Sequence, residues 1–286
     1  MTGLIGGVGR VARRKNRGLA KDPLTYAIAQ RDADTLTTVR QALKTKNVCL
    51  AYQPVMTSGA NPKPAFYEGL LRVLDPTGRV IPAKDFIDVV ETIEEGRILD
   101  CLALEIGLTT LAANPSIRLA INMSARSIGH SGWEQVLDAA LASDPTIAER
   151  LIIEITESSA MLVPSAVVDF MDRMQRHGTA FALDDFGAGY TSFKHFKDFF
   201  FDIVKIDGAF ARNIHTDPDN QVLMQALVSI AQQFDMFTVA ECVEQAAEAD
   251  YLATIGIDCL QGYLFAAPTL SPHWDAAASK KKRKIA

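Results

Sequence analysis

Short apolar runs alternate with helical patterns along most of this chain. The runs expected to form strands cover residues 48–55, 65–71, 119–121, 151–153, 180–183, 203–204, 237–240 and 259–260. Between the later runs, apolar positions recur at a helical spacing over 133–142, 165–177, 220–234 and 245–252. Strands that alternate with helices predict βα units and a parallel sheet.

Each of the later apolar runs is followed at once by a polar residue. In chain order these residues are Asn122, Glu154, Asp184, Lys205, Glu241 and Gln261. Their spacing of 20 to 36 residues is about the length of one βα unit. A single polar residue at a strand end is usually just a residue that meets water. Six such residues, each at the same end of its strand, favour a shared site. A TIM-type barrel builds its active site in this way, at the C-terminal ends of its strands.

The chain divides into a long central segment and two basic ends. We expect a flexible basic arm over 1–20, an N-terminal helix over 21–46, a barrel domain over 47–272 and a basic tail over 273–286. Within the barrel, residues 83–111 follow a helical pattern with a break near Gly96. The chain of 286 residues is long enough for one α/β barrel of about 250 residues.

The basic residues are concentrated at the two ends. Residues 1–21 and 280–284 hold 11 of the 29 Lys and Arg residues, so the rest of the chain has 18 basic against 34 acidic residues. Such a body is a poor surface for duplex nucleic acid and suits cation binding. Solvated tails are the simpler interpretation of the basic ends, and peripheral contact with anionic lipid is the alternative.

Membrane and disulfide signals are weak in this sequence. No apolar run approaches the ~18 residues of a membrane span, and the N-terminal segment does not have the order of a signal peptide. The four cysteines are widely spaced, without a C-x-x-C pair. We therefore expect a cytoplasmic protein with reduced thiols.

Two adjacent aspartates, Asp184 and Asp185, end the apolar run at 180–183 and precede a loop with two glycines. Neighbouring carboxylates repel each other unless a positive charge lies between them, so bound cations explain the pair. A helix N-cap followed by a glycine turn is the alternative, since Asp and Gly also favour that arrangement.

The residue types at the strand ends select a hard cation. Three or four carboxylates with an amide oxygen and no histidine favour Mg²⁺ or Mn²⁺ over zinc. Four or more negative charges exceed those of one divalent ion, which predicts two ions with Asp184 or Asp185 between them. Two such ions suit phosphodiester hydrolysis. Lys205 would orient water or neutralise phosphate charge, or else form a salt bridge to Asp207 or to a metal ligand.

With these residues in place, the chain resembles the EAL-domain cyclic di-GMP phosphodiesterases of bacteria from about Val48 to Leu270. Eight motifs carry the resemblance in order, and they begin at Tyr52-Gln53-Pro54, Glu68-Gly69-Leu70-Leu71-Arg72, Asn122-Met123-Ser124, Glu154-Ile155-Thr156-Glu157, Asp184-Asp185-Phe186-Gly187, Val204-Lys205-Ile206-Asp207, Ala240-Glu241-Cys242-Val243-Glu244 and Gln261-Gly262-Tyr263-Leu264-Phe265. The resemblance implies a modified TIM (β/α)8 barrel with a short N-terminal helical extension. It also implies metal-dependent cleavage of cyclic di-GMP to the linear dinucleotide pGpG.

The resemblance assigns roles residue by residue. Metal ligands would be Glu68, Asn122, Glu154, Asp184, Asp185 and Glu241, with two ions in all. Glu68, Lys205 and Glu241 would take part in catalysis, and Gln53, Arg72 and Gln261 would line the substrate pocket. Glu157 would brace the loop from Phe186 to Ser192, which in this family couples dimer contacts to the metal site.

Among the positions where the chain departs from the family pattern, Cys242 and Val73 bear on function, and a rival function is kept beside the first. Cys242 replaces a glycine beside Glu241, and a cysteine there would be strained if the backbone needs a positive φ. Val73 stands where an aromatic residue is common, which would weaken a substrate contact. The rival is a catalytically silent module that binds cyclic di-GMP or a protein.

A homodimer through the segment 186–201 is also expected. This connector holds more aromatic residues than a short connector needs, namely Phe193, Phe196, Phe199, Phe200 and Phe201.

Overall fold

A computed structural model describes residues 23–188 and 197–274. Nine strands form one sheet: β1 Val48–Thr57, β2 Pro64–Leu74, β3 Val80–Pro82, β4 Leu119–Asn122, β5 Leu151–Thr156, β6 Ala180–Phe186, β7 Ile203–Ile206, β8 Phe237–Ala240 and β9 Cys259–Leu260. The strand order is β1-β9-β8-β7-β6-β5-β4-β2-β3, and β1 also pairs with β2. Eight of these strands therefore close into a barrel, and β3 is added at the outside.

The barrel departs from the all-parallel pattern at its first strand. β1 is antiparallel to both of its neighbours, β2 and β9, while β2 and β4 to β9 run parallel to one another. The turn at 58–63 joins β1 to β2 as a hairpin, which is why two consecutive strands pair antiparallel. This arrangement confirms the predicted modified (β/α)8 barrel.

The helices lie outside the sheet. Their bounds are α1 Pro23–Thr45, α2 Ile87–Val90, α3 Glu94–Ala113, α4 Ser131–Ser143, α5 Glu157–Ala160, α6 Pro164–Gln175, α7 Gly208–Ala211, α8 Pro218–Gln233 and α9 Ala246–Thr254. Three 3-10 turns occur at Ala83–Asp85, Ala125–Ser127 and Pro145–Arg150. The long helices fall where the sequence pattern predicts them, and α2 falls within the helical pattern predicted over 83–111. Strand β3 and the short helices α5 and α7 were not predicted.

One apolar residue from each barrel strand fills the barrel interior. The set is Val55, Phe66, Ala120, Ile152, Ala182, Ile203, Val239 and Cys259. A larger cluster fills the space between the outer face of the sheet and the helices, with Trp133, Phe170 and Phe181 stacked edge to face in it. The barrel is therefore a packed core, and a site can form only above the interior layer.

Two sequence predictions are corrected by the structure: the position of the helical break near Gly96 and the role of Val73. The helical break lies between Val90 and Glu94, and Gly96 is inside the first turn of α3. Gly96 packs closely against the Val90 carbonyl, so a side chain would not fit there. Val73 is fully buried beneath α1 with Val39 and Phe86. It does not face the site, so its replacement of an aromatic residue removes no substrate contact.

Several predictions concern residues outside the described ranges. These are the basic arm, most of the basic tail, the loop from Gly189 to Ser192, and Phe193 and Phe196. Phe199 and Phe201 are buried in the core, and Phe200 is exposed. The first two are therefore core residues and do not support a dimer surface. None of the helices in the described ranges is long and apolar enough to cross a membrane.

Candidate metal centre

A layer of polar side chains lies directly above the apolar layer of the barrel. Each member is two residues from the interior residue of its own strand. It comes two residues later in sequence on the parallel strands and two residues earlier on antiparallel β1. The members are Gln53, Glu68, Asn122, Glu154, Asp184, Lys205, Glu241 and Gln261. Since side chains on one face of a strand recur every second residue, all eight point into the barrel. This register is what assembles the candidate site.

Lys205 lies at the centre of this layer and is 1% exposed. Its Nζ is 2.9 Å from Asp184 Oδ1, 2.9 Å from Glu241 Oε1, 3.0 Å from Glu154 Oε2 and 3.3 Å from Glu68 Oε2. The sequence left open whether Lys205 pairs with Asp207 or with the ligand carboxylates. It pairs with the carboxylates, while Asp207 caps α7 by accepting from the Ala209 N–H.

Glu68 joins the strands on its side of the barrel. Asn122 Nδ2 donates to Glu68 Oε1 at 2.8 Å, and Gln261 Nε2 donates to Glu68 Oε2 at 2.6 Å. Gln261 Nε2 also lies 3.2 Å from Gln53 Oε1, and Gln53 donates in turn to the Ala266 carbonyl. The predicted pocket residues Gln53 and Gln261 thus belong to the same hydrogen-bonded layer as the predicted metal ligands.

A bulge in β6 explains how two adjacent aspartates share one site. Leu183 pairs with Val204 and Phe186 with Ile206, so Asp184 and Asp185 together oppose Lys205. Asp185 takes a φ of +56°, a conformation that Asp tolerates better than most residues. On a regular strand the two side chains would point to opposite faces. Here carboxylate oxygens of Asp184, Asp185 and Glu241 lie within 4.8 Å of one another.

The donor set fits divalent cations. Four carboxylates surround a single ammonium group, and their oxygens are the ligands that Mg²⁺ and Mn²⁺ prefer. Within the described part of the chain, Glu154 Oε1 and Gln261 Oε1 are buried acceptors that receive no hydrogen bond. Buried acceptors are normally satisfied, so these two atoms suit a bound cation or its water shell.

Burial and neighbouring carboxylates raise the pKa of three carboxylates in this site. Burial, the largest effect, raises the pKa of Glu241 to about 8 and that of Asp185 to about 6. Burial and the nearby Glu68 raise the pKa of Glu154 well above its usual range. Burial acts in the same direction on Glu68, but Lys205 and the hydrogen bonds from Gln261 and Asn122 lower its pKa overall. One lysine thus leaves excess negative charge in the layer.

The polar layer forms the floor of a cleft of about 590 Å³. Arg72 was predicted as a pocket residue, and it lines this cleft. It lies four residues after Glu68 on β2, so the two side chains are on the same face of the strand. Lys84, Arg212 and Tyr263 also line the cleft and were not predicted. They lie in loops and a 3-10 turn, where the hydrophobic pattern carries no signal. Three cations therefore surround the mouth above an acidic floor.

Glu157 lies apart from this layer. It is buried at the start of α5, and its Oε2 accepts from the Gly187 N–H at 3.4 Å. This contact reaches the first part of the loop that Glu157 was predicted to brace. The rest of that loop, from 189 on, is outside the described residues.

Cys242 has a positive φ, the backbone conformation in which a cysteine was expected to be strained. Its φ is +54°, the left-handed region that favours glycine. The thiol is exposed at the edge of the cleft and lies beside Arg212. The strain therefore falls one residue after Glu241.

The fold and the site together define a (β/α)8 barrel with an acidic, lysine-centred site at the C-terminal ends of its strands. A profile of the EAL domain matches residues 37–268, and the chain belongs to the EAL domain family. The resemblance predicted from the motifs is therefore confirmed.

Characterised relatives agree with this assignment. The chain is 29% identical over 234 residues to the cyclic di-GMP phosphodiesterase PdeB of Shewanella oneidensis, covering 80% of this chain and 27% of PdeB. It is 32% identical over 238 residues to the cyclic di-GMP phosphodiesterase PdeR of Escherichia coli K12, covering 81% of this chain and 35% of PdeR. The chain thus spans about a third or less of the length of these relatives.

Two solved structures show the same fold. The PaMucR phosphodiesterase in complex with c-di-GMP superposes with a TM-score of 0.72 at 28% identity, over 85% of this chain and 99% of that chain. The FimX EAL domain of Pseudomonas aeruginosa has a TM-score of 0.75 at 24% identity, over 82% of this chain and 96% of that chain.

Proposed function

We propose that this chain hydrolyses one phosphodiester bond of cyclic di-GMP to give linear pGpG, with two Mg²⁺ or Mn²⁺ ions. The observation that carries the proposal is the intact polar layer, in which Glu68, Glu154, Asp184 and Glu241 converge on Lys205. The fifth predicted ligand carboxylate, that of Asp185, lies within 4.8 Å of those of Asp184 and Glu241. Relatives named as cyclic di-GMP phosphodiesterases support the substrate.

The residues divide into those that hold cations and those that hold substrate. Glu68, Asn122, Glu154 and Asp184 would hold one ion, and Asp184 and Asp185 the second, with Glu241 beside them. When bound, the two ions would activate water and stabilise an in-line displacement at phosphorus. Lys205 Nζ offers a fixed positive charge within the layer for the negative charge that develops on the phosphate.

The cleft around this floor suits a doubly anionic ligand. Arg72, Lys84 and Arg212 line its upper part, and the exposed ring of Tyr263 stands at the same edge. Guanidinium and ammonium groups bind phosphate, and an exposed aromatic ring can stack on a base. These cations would bind the phosphate that is not cleaved.

A second candidate is the catalytically silent module that binds cyclic di-GMP as a receptor. The positive φ of Cys242 favours it, because strain beside Glu241 would misplace that carboxylate. The retained carboxylates favour the enzyme instead.

A chromatographic assay of purified protein with cyclic di-GMP separates the two functions. We expect pGpG in Mg²⁺ or Mn²⁺ and none in EDTA. Binding without product in either metal would favour the receptor, and Cys242→Gly would then be assayed for restored turnover. Neither binding nor product would contradict both functions and leave a role in protein interaction. Homodimerisation, a cytoplasmic location and contact with anionic lipid stay predictions.

A further inference from the structure

Glu248 joins two loops at the mouth of the cleft, outside the metal centre. Its side chain is buried, with the residue 2% exposed. Oε1 accepts from the Asn213 N–H at 2.8 Å, while Oε2 accepts from the N–H groups of Glu244 and Gln245 at 2.9 and 3.0 Å. Three backbone donors, one from the loop after β7 and two from the loop after β8, therefore meet at one carboxylate. We call this arrangement the Glu248 junction.

Helix capping explains only part of the junction. Glu248 is the third residue of α9, and an acidic residue there commonly accepts from the N–H of the N-cap residue, here Gln245. Capping requires neither the bond from Glu244 nor the bond from Asn213, which is 35 residues earlier in the chain. Gln245 Nε2 also donates to Asn213 Oδ1 at 3.2 Å, so a second bond spans the same gap.

The junction holds residues that line the cleft. Arg212 directly precedes Asn213, and both Arg212 and Glu244 lie at the mouth. Asn213 itself has a φ of +54°, a conformation that needs support from its surroundings. Loss of the carboxylate would leave three backbone donors without this acceptor and release both loops from each other.

The metal centre has anchors of its own. The Glu241 N–H donates to the Ile206 carbonyl at 3.2 Å, and the Val243 N–H donates to the Gln261 carbonyl at 3.0 Å. Gly262 packs so closely on Val243 that a side chain there would overlap its backbone. These contacts hold Glu241 to the barrel without Glu248.

We infer that Glu248 is a positioning residue that sets Arg212 and Glu244 across the mouth of the cleft and so determines how tightly an anionic dinucleotide is held. The inference rests on the proposed function and names a residue outside the site predicted from the motifs. Burial alone would raise the pKa of Glu248, but the backbone hydrogen bonds outweigh it and lower that pKa. The group is therefore a charged acceptor at neutral pH.

The test measures kcat and KM for cyclic di-GMP in Mn²⁺ with Glu248→Ala and Glu248→Gln. We expect Glu248→Ala to raise KM about tenfold, the loss typical of hydrogen bonds to a charged group, while kcat changes by less than about twofold. Glu248→Gln keeps one acceptor and should raise KM by about threefold. Hydrogen exchange at the Asn213 and Glu244 amides should quicken in Glu248→Ala.

Asp258→Asn is the matched control. Asp258 also accepts from a backbone N–H, that of Thr238, but at the opposite end of the barrel. It should leave KM unchanged. A folded Glu248→Ala variant with wild-type KM, or with kcat reduced and KM unchanged, would overturn the inference and leave the proposed function standing. If the wild-type protein binds cyclic di-GMP without turnover, the same comparison is made with Kd in place of KM. If the wild-type protein neither binds nor hydrolyses cyclic di-GMP, the proposed function fails and the inference fails with it.

Discussion

At the scale of single residues, Cys242 and Gly208 depend on each other. Cys242 has a φ of +54°, and its side chain occupies the space beside Gly208, the first residue of α7. A Cβ at Gly208 would overlap Cβ and Sγ of Cys242, and the next atom, the Glu241 carbonyl oxygen, would be at 3.5 Å. The cysteine therefore imposes both backbone strain and a requirement for glycine at 208.

A double-mutant cycle tests this dependence. Cys242→Gly should stabilise the protein by about 0.5–1 kcal/mol, because glycine adopts a positive φ without strain. Gly208→Ala should cost about 1–3 kcal/mol in wild type through overlap and less than about 0.5 kcal/mol in the Cys242→Gly background. Unfolding in urea measures all four proteins. Additive effects of the two substitutions would show that the side chains do not meet.

At the scale of elements, the bulge in β6 marks the limit of the sequence pattern. The pattern placed Asp184 at a strand end, but a two-residue alternation puts Asp185 on the other face. Only the register against β7, in which two residues oppose Lys205, shows that both carboxylates face the site. Likewise β3 is three residues long and α7 four, too short for a periodic signal.

The side chain of Asp100, which joins α3 to the 3-10 turn after β4, makes the stability of the protein depend on pH. Asp100 Oδ2 accepts from the Ser124 N–H at 3.1 Å and the Ser127 hydroxyl at 2.6 Å. Burial nevertheless raises the pKa of Asp100 to about 6, and these bonds and His130 offset only part of that effect. The folded protein therefore holds this proton more tightly than the unfolded chain does.

Asp100→Asn should remove that pH dependence. The stability due to the protonated form is full below about pH 4 and is lost as the pH rises to about 6. The free energy of unfolding of wild type relative to Asp100→Asn should therefore fall by up to about 3 kcal/mol between pH 4 and pH 7. Taking the difference cancels the other carboxylates that titrate in this range. A difference that stays constant with pH would contradict the raised pKa.

At the scale of the whole molecule, one register relation builds the site. The apolar layer closes the barrel, and the polar layer follows two residues away on all eight barrel strands. Six members were predicted from spacing alone because each ends an apolar run. Gln53 and Glu68 lie inside longer strands without such an end, and only the family motifs indicated them. The mouth residues Lys84 and Arg212 and the Glu248 junction depend on loop geometry, which hydrophobic periodicity does not encode.

The excess negative charge of the polar layer predicts that divalent cations stabilise the fold. Cations that bind only the folded protein add about 2.7 kcal/mol to the free energy of unfolding at a hundredfold excess over Kd. Mn²⁺ should therefore raise the Tm of wild type by several degrees, measured by calorimetry. Asp184→Asn should lose most of this shift, and Asp258→Asn should keep it. An equal shift in Asp184→Asn would place the bound cation elsewhere.

The most direct test of the central claim, that this layer holds the ions on which hydrolysis depends, is the rate of pGpG release as a function of Mn²⁺ concentration. It compares wild type with Glu68→Gln, Asp184→Asn and the control Asp202→Asn, whose carboxylate accepts from the Phe181 N–H at the other end of the barrel. We predict saturable activation in wild type and Asp202→Asn, and a loss of at least about a hundredfold at saturating metal in the two site variants. Wild-type turnover in Glu68→Gln and Asp184→Asn would contradict the assignment of the site.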